Sequence, residues 1–183
     1  MSGAKDPPEL ESLGEGKWVR LVKRGKWEYA VRIRGHRAAM IVPVTTEGTV
    51  ILIEQPRMAL NAHTIEFPAG LVGDEADDEA TADAAGRELT EETGYRAAEL
   101  IDLGEGCSSG GITDEMISAY LATGLERVGE GGGVDGEDIT VHEVPLTEVQ
   151  SWLSEQTARG CIVDLKVFAG LYWAHRHLGT IPR

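Results

Sequence analysis

The chain has 183 residues, a length that suits one domain with a sizeable core and leaves two full domains cramped. At 42% hydrophobic residues it carries the apolar content that wholly disordered acidic chains lack. Its 31 acidic against 17 basic residues give a formal net charge of -14, which repels nucleic acid and anionic membrane surfaces alike.

Residues 1–15, with Pro7 and Pro8, read as a flexible tail. Residues 16–36 then read as an antiparallel hairpin. Trp18, Arg20 and Val22 alternate with Val19 and Leu21, Gly25 and Lys26 break the run, and Tyr29, Val31 and Ile33 recur at period two. The short β-branched runs 40–44 and 50–53, separated by Glu47 and Gly48, predict a second hairpin with buried strands. A brief strand at 65–67 stops at Pro68, and further strands are expected at 116–122 and 139–144. The clearest helix is 78–93, with acids in its first turn and Gly94 where a left-handed residue closes a helix. Gly86 inside it costs about 1 kcal/mol relative to alanine. Residues 147–156 predict a short helix, and 163–177 a longer one with Val163, Val167, Leu171 and Ala174 on one stripe. Between them and the central strands, 125–138 is rich in glycine and acid and predicts a mobile loop, long enough inside one domain to be functional.

No stretch approaches the roughly 18 apolar residues that span a bilayer, and the N-terminus lacks the apolar run of a secretion signal. Cys107 and Cys161 lie far apart and outside any CxxC pair, so the expectation is two reduced thiols in a cytoplasmic protein. The five histidines share no repeated metal-ligand spacing.

At 100° per residue Glu88 and Glu92 stand one turn apart on one helix face, with Glu91 three residues from Glu88. Like charges so placed repel, so they form either a solvated acidic face or a platform that a cation neutralises. Hard cations such as Mg²⁺ take oxygen ligands and keep waters, leaving room for phosphate oxygens.

The glutamates do not stand alone. Gly73, Glu79, Arg87, Glu88, Leu89, Glu91, Glu92, Gly94 and Tyr95 fall without insertion on the pattern G-x5-E-x7-R-E-U-x-E-E-x-G-U, U being bulky and apolar. The segment thus resembles the Nudix box. That resemblance implies an α/β class protein, an α/β/α sandwich with mixed β-sheet plus the N-terminal antiparallel hairpin, over a Nudix hydrolase domain at 37–183. It implies hydrolysis of a nucleoside diphosphate linked to another group, with Mg²⁺ as cofactor and Mn²⁺ as a substitute. By position, Glu88 and Glu92 would be the principal metal ligands and Glu91 a ligand to a further ion or its waters. Arg87 would orient the glutamates and Glu79 support them. An ordinary i,i+4 ion pair of Arg87 with Glu91 would look the same in sequence.

Flanking residues narrow the resemblance. The run Ile65-Glu66-Phe67-Pro68-Ala69-Gly70-Leu71 resembles the EFPAGL signature of the ADP-ribose pyrophosphatase branch, in which the carbonyl at Ala69 is a metal ligand and Leu71 adjoins substrate. Arg57, in Glu54-Gln55-Pro56-Arg57, resembles that branch's diphosphate-binding arginine, a role its bidentate fork suits. Trp18, Trp27, Glu28 and Arg32 resemble its adenine- and phosphate-binding hairpin, which is exchanged between the subunits of a homodimer; ordinary core is the alternative reading of the two tryptophans. Thr113, Asp114 and Glu115 resemble a turn beside the terminal ribose. The general base would come from the acidic loop, as Glu137 or Asp135, both near the metals.

The resemblance therefore implies hydrolysis of ADP-ribose to AMP and ribose 5-phosphate. Another nucleoside diphosphate sugar, such as GDP-mannose or ADP-glucose, is the alternative substrate. A non-catalytic nucleotide sensor is disfavoured because every box glutamate is present.

Overall fold

The computed structural model describes residues 8–35, 37–73, 80–134 and 136–179. Strands β1 (Leu10–Glu15), β2 (Val19–Arg24) and β3 (Trp27–Arg32) form an antiparallel sheet of their own. The β2–β3 hairpin turns where expected, with Arg24 opposite Trp27 and Gly25 at φ 62. Strand β1 corrects the expectation of a tail reaching residue 15. Its acidic LESLGE lies against the basic VRLVKR of β2, Glu11 opposite Lys23 and Glu15 opposite Arg20, and cross-strand charge complementarity favours the pairing.

Strands β4 (Arg37–Pro43) and β5 (Thr49–Arg57) correct the second predicted hairpin. The turn between them is hairpin-like, with the Thr45 N–H donating to the Thr49 carbonyl at 2.9 Å and a single bridge between Val44 and Val50. Beyond that bridge the strands part into different sheets. Both are apolar on both faces, so each needs cover above and below and neighbours on either side, which a two-stranded ribbon does not supply.

The chain continues as β6 (Ala62–Glu66), β7 (Ala69–Val72), α1 (Thr81–Thr93), β8 (Tyr95–Arg96), β9 (Glu99–Cys107), β10 (Met116–Thr123), β11 (Glu126–Arg127), β12 (Thr140–Pro145), α2 (Val149–Ala158), β13 (Ile162–Val163) and α3 (Leu165–His177). One mixed sheet runs β7-β4-β10-β9 with β4 and β10 parallel; the other runs β12-β5-β6-β13 with β6 and β13 parallel; β8 and β11 pair separately. The long strand β9, absent from the predicted elements, is a half-exposed edge whose glycines and acids give no alternation; β10 supplies the partner that defines it.

Alternate side chains of the central strands face opposite layers. Ala39, Ile41, Ile51 and Ala122 pack with Ala85 and Leu89 of α1. Met40, Val42, Leu52 and Leu121 pack with Leu153 of α2 and Val167, Leu171 and Ala174 of α3. The result is an α/β/α arrangement. Close seating of α3 requires Gly170, where a Cβ would lie 2.3 Å from the Phe67 ring. Asp164 caps α3, accepting from the Lys166 N–H at 2.8 Å, and Gly94, at φ 74, ends α1 with its N–H on the Thr90 carbonyl at 2.9 Å. No helix among the described residues is long and apolar enough to cross a membrane, and Cys107 and Cys161 are both free.

Candidate active site

The inner face of α1 carries Glu88 and Glu92, both buried, toward β7. Glu92 is 4% exposed and accepts the Ala69 N–H through Oε2 at 3.0 Å. Desolvation pushes its carboxyl up to about 8, against the Ala69 hydrogen bond and with help from the charges of Glu88 and Glu137. Arg87 donates to Glu88 at 2.9 Å and to Glu91 at 3.2 Å, so it makes the ordinary i,i+4 pair and also holds the inner carboxylate. Glu88 lies against the backbone of Gly70, where no side chain fits.

These acids form one wall of a pocket of about 370 Å³, lined also by Ala69, Leu71, Glu115 and Glu137. Cationic groups line it too: Arg32, Arg57 and Lys166. Arg57 grips Glu66 through Nε and Nη2, each at 2.6 Å, and Glu66, itself 4% exposed, also accepts the Thr64 hydroxyl. The Glu66 hydrogen bond raises the Arg57 pKa, so its charge is permanent. Arg32 pairs with Glu115 at 2.7 Å, and the Ala30 N–H donates to the Ile112 carbonyl at 2.8 Å; together they dock the N-terminal sheet on the turn before β10. A bed of acids opposite fixed cations is suited to an anion accompanied by a cation.

A second, more apolar cavity of about 680 Å³ lies between β3 and that turn, lined by Trp27, Glu28, Tyr29, Thr113 and Asp114 among others. Trp18 lines neither cavity; it is 68% exposed, with the Lys17 ammonium 4.4 Å from its ring centroid. Trp27 is also largely exposed, so neither tryptophan belongs to this chain's core.

The structure thus gathers Arg32, Arg57, Ala69, Leu71, Glu88, Glu92, Glu115 and Glu137 in one pocket, and Trp27, Glu28, Thr113 and Asp114 in the other. Glu91 and Arg87 stand beside the first without lining it. Glu79 and Asp135 lie outside the described residues. Lys166, at the start of α3, was not foreseen as a pocket residue, since only folding brings it across from α1. Thr64, two residues before the Glu66 it contacts, carries a periodic signal: alternate residues of β6 share a face.

All-oxygen donors, with a carboxyl held far above its usual range by burial first and by neighbouring acids second, fit a hard divalent cation. Among the described residues no three His, Cys, Asp or Glu side chains form a ready cage. Arg87 and the Ala69 N–H engage the glutamates instead.

A family model for the NUDIX domain matches residues 34–165. A methanol dehydrogenase activator of Bacillus methanolicus is 31% identical over 155 residues, 81% of this chain and 82% of its own. An ADP-ribose pyrophosphatase of Bacillus subtilis (strain 168) is 35% identical over 112 residues, 61% of this chain and 59% of its own. A GDP-mannose pyrophosphatase of Citrobacter koseri is 35% identical over 123 residues, 63% of this chain and 62% of its own. Both pyrophosphatases are thus matched over less than two thirds of their length. Among solved structures, an ADP compounds hydrolase shares the fold with a TM-score of 0.74, covering 97% of this chain and 98% of its own at 19% identity.

Proposed function

The chain belongs to the Nudix family, and from that footing we propose that this hydrolase cleaves the diphosphate of ADP-ribose, giving AMP and ribose 5-phosphate. The observation that carries the reading is the meeting, in one pocket, of Glu88, Glu92 and Glu137 with Arg32 and Arg57, beside a second cavity of aromatic and polar lining. A diphosphate fits the first and a nucleoside the second. The B. subtilis relative supports the substrate class.

Nudix hydrolases generally need a divalent cation. In this chain Glu88, Glu92 and the Ala69 carbonyl would hold it, with Glu91 toward a further ion, and we take Mg²⁺ as the native ion with Mn²⁺ as a substitute. When bound, the cation neutralises charge on the phosphoryl oxygens and makes water more acidic. Arg57, immobilised by Glu66, holds the diphosphate by charge-assisted hydrogen bonds, and Arg32 adds a second cation. Arg87 keeps the glutamates in register. Glu137 accepts the proton of the attacking water as its oxygen bonds to phosphorus; the P–O bond to the bridging oxygen breaks, and that oxygen leaves on the other phosphate. Attack at either phosphorus yields the same two products. Asp135 is the alternative base in this loop.

Trp27 and Glu28 would engage the adenine, and Thr113, Asp114, Glu115 and Leu71 the remainder of the substrate. The exposed Leu21 and Trp27 on the N-terminal sheet, and Trp18 just before β2, support a homodimer in which the hairpin at 16–36 is exchanged between two copies over the hydrolase domain at 37–183; a cytoplasmic location is part of the same reading. A second reading, GDP-mannose or another nucleoside diphosphate sugar such as ADP-glucose, is favoured by the GDP-mannose pyrophosphatase relative of equal identity. Purified protein with Mg²⁺ and a panel of these compounds separates the two. The expected result is the highest kcat/KM for ADP-ribose; equal or better turnover of GDP-mannose overturns the choice.

A further inference from the structure

The last turn of an α-helix leaves carbonyls without helical partners. In α1 those of Glu91 and Glu92 accept from the N–H groups of Gly133, at 3.0 Å, and Gly132, at 2.9 Å. The Gly94 carbonyl accepts from Val128 at 2.8 Å and Gly129 at 3.1 Å. The segment between β11 and β12 is therefore mounted on the residues whose side chains form the acidic wall. The contact is backbone against backbone. A Cβ on Gly131 would lie 2.4 Å from the Thr93 carbonyl carbon and 2.8 Å from the Glu92 oxygen, and one on Gly94 2.4 Å from the Gly129 oxygen. Gly131, Gly132 and Gly133 have φ of 73, 101 and 83, a region that glycine alone enters without penalty.

Past the mount the chain folds back. The Glu137 N–H donates to the Val134 carbonyl and the Val134 N–H to Glu137 Oε2, both at 3.1 Å. A Cβ on Gly133 would sit 2.4 Å from that same Oε2 and 2.7 Å from the Glu137 Cβ. Glu137 thus lies over Gly133 and reaches the pocket that Glu88 and Glu92 line. Gly129, in the same segment, is different: the nearest atom to its Cβ would be 3.8 Å away, and its φ is not positive.

We propose that Gly131 and Gly133 are positioning residues that fix the reach of Glu137 into the pocket by mounting its loop on the C-terminal carbonyls of α1. Base and acidic wall then keep one relation through two peptide hydrogen bonds, however the rest of the loop moves. This rests on Glu137 being the base of the reaction proposed above.

The test is steady-state kinetics on Gly131→Ala, Gly133→Ala and the control Gly129→Ala, each also combined with Glu137→Gln. The expected result is a kcat about tenfold or more lower in the first two, part of what a general base contributes, with KM within about twofold and Gly129→Ala unaffected. In the Glu137→Gln background Gly133→Ala should cost nothing further, because it acts through that side chain, and the loss from Gly131→Ala should be smaller than in the wild type. Gly133→Ala strikes the Glu137 side chain rather than a helix, so it keeps the test valid should Gly131→Ala not fold. Activity equal to Gly129→Ala, or an undiminished loss in the Glu137→Gln background, overturns the proposal. Full activity of Glu137→Gln alone overturns the base assignment instead. The mount is then judged by amide exchange in Gly131→Ala: faster exchange at Gly132 and Gly133 supports it, and unchanged exchange overturns it.

Discussion

The Glu88 carboxylate occupies the space that a side chain at Gly70 would need: a Cβ there would lie 1.9 Å from both its Cδ and its Oε1. Gly70 has no positive φ, so its requirement is spatial and not conformational. Gly70→Ala should leave the backbone unstrained while displacing Glu88. Because displacement of a reacting group by about 1 Å costs on the order of a hundredfold, kcat should fall by about that factor. The Mg²⁺ concentration for half-maximal activity should rise with it. A variant with normal metal dependence would show that Glu88 takes no part in holding the cation.

Glu92 makes the metal-free fold sensitive to pH. Burial favours its neutral form, so the folded chain keeps to about pH 8 a proton that a carboxyl with the usual value of 4.5 gives up much earlier. That contribution to stability is whole below about pH 4.5 and is lost as pH rises through 8. In EDTA, the Tm difference between wild type and Glu92→Gln should therefore shift against the wild type between pH 5 and 8. Saturating Mg²⁺ should abolish the trend, since a cation favours the charged form.

The same Glu92→Gln variant can still accept the Ala69 N–H through its amide oxygen, so the fold should persist. Loss of a direct ligand should nevertheless lower kcat by about a hundredfold or more, beyond what loss of a supporting residue costs. Circular dichroism with kcat checks both halves; a near-normal rate would remove the metal platform.

Arg57→Lys tests the grip on the diphosphate. Lysine cannot reproduce the paired Nε and Nη2 contacts with Glu66, and its mobile ammonium is not held in place. KM should rise by about tenfold, with a smaller change in kcat. The reverse split would assign Arg57 to the chemical step.

Gly86 stands inside α1 without a spatial reason: the nearest atom to an added Cβ is Leu100 Cδ1, at an ordinary 3.8 Å. Gly86→Ala should stabilise the protein by about 0.5–1 kcal/mol through helix propensity, raising Tm by about 1–4 °C. Thermal unfolding measures it, and activity should not change.

The sequence by itself determined the box helix, because acids, Arg87 and Gly94 fall at spacings that place Glu88 and Glu92 on one face whatever surrounds them. It also determined the hairpin at Gly25 and Lys26 and most strand positions, since period two and turn chemistry are local. Other features depended on partners distant in the chain. Residues 40–44 and 50–53 were legible as strands but not as members of different sheets, because that choice is made by burial on both faces. Strand β9 exists through its pairing with β10, and β1 through charge complementarity with β2. The pocket itself is tertiary: Arg57 comes from β5, Lys166 from α3 and Glu137 from the loop after β11. Only the folded chain could raise Glu92 toward 8, for desolvation and the nearness of other charges are properties of the space around a residue and not of its neighbours in sequence.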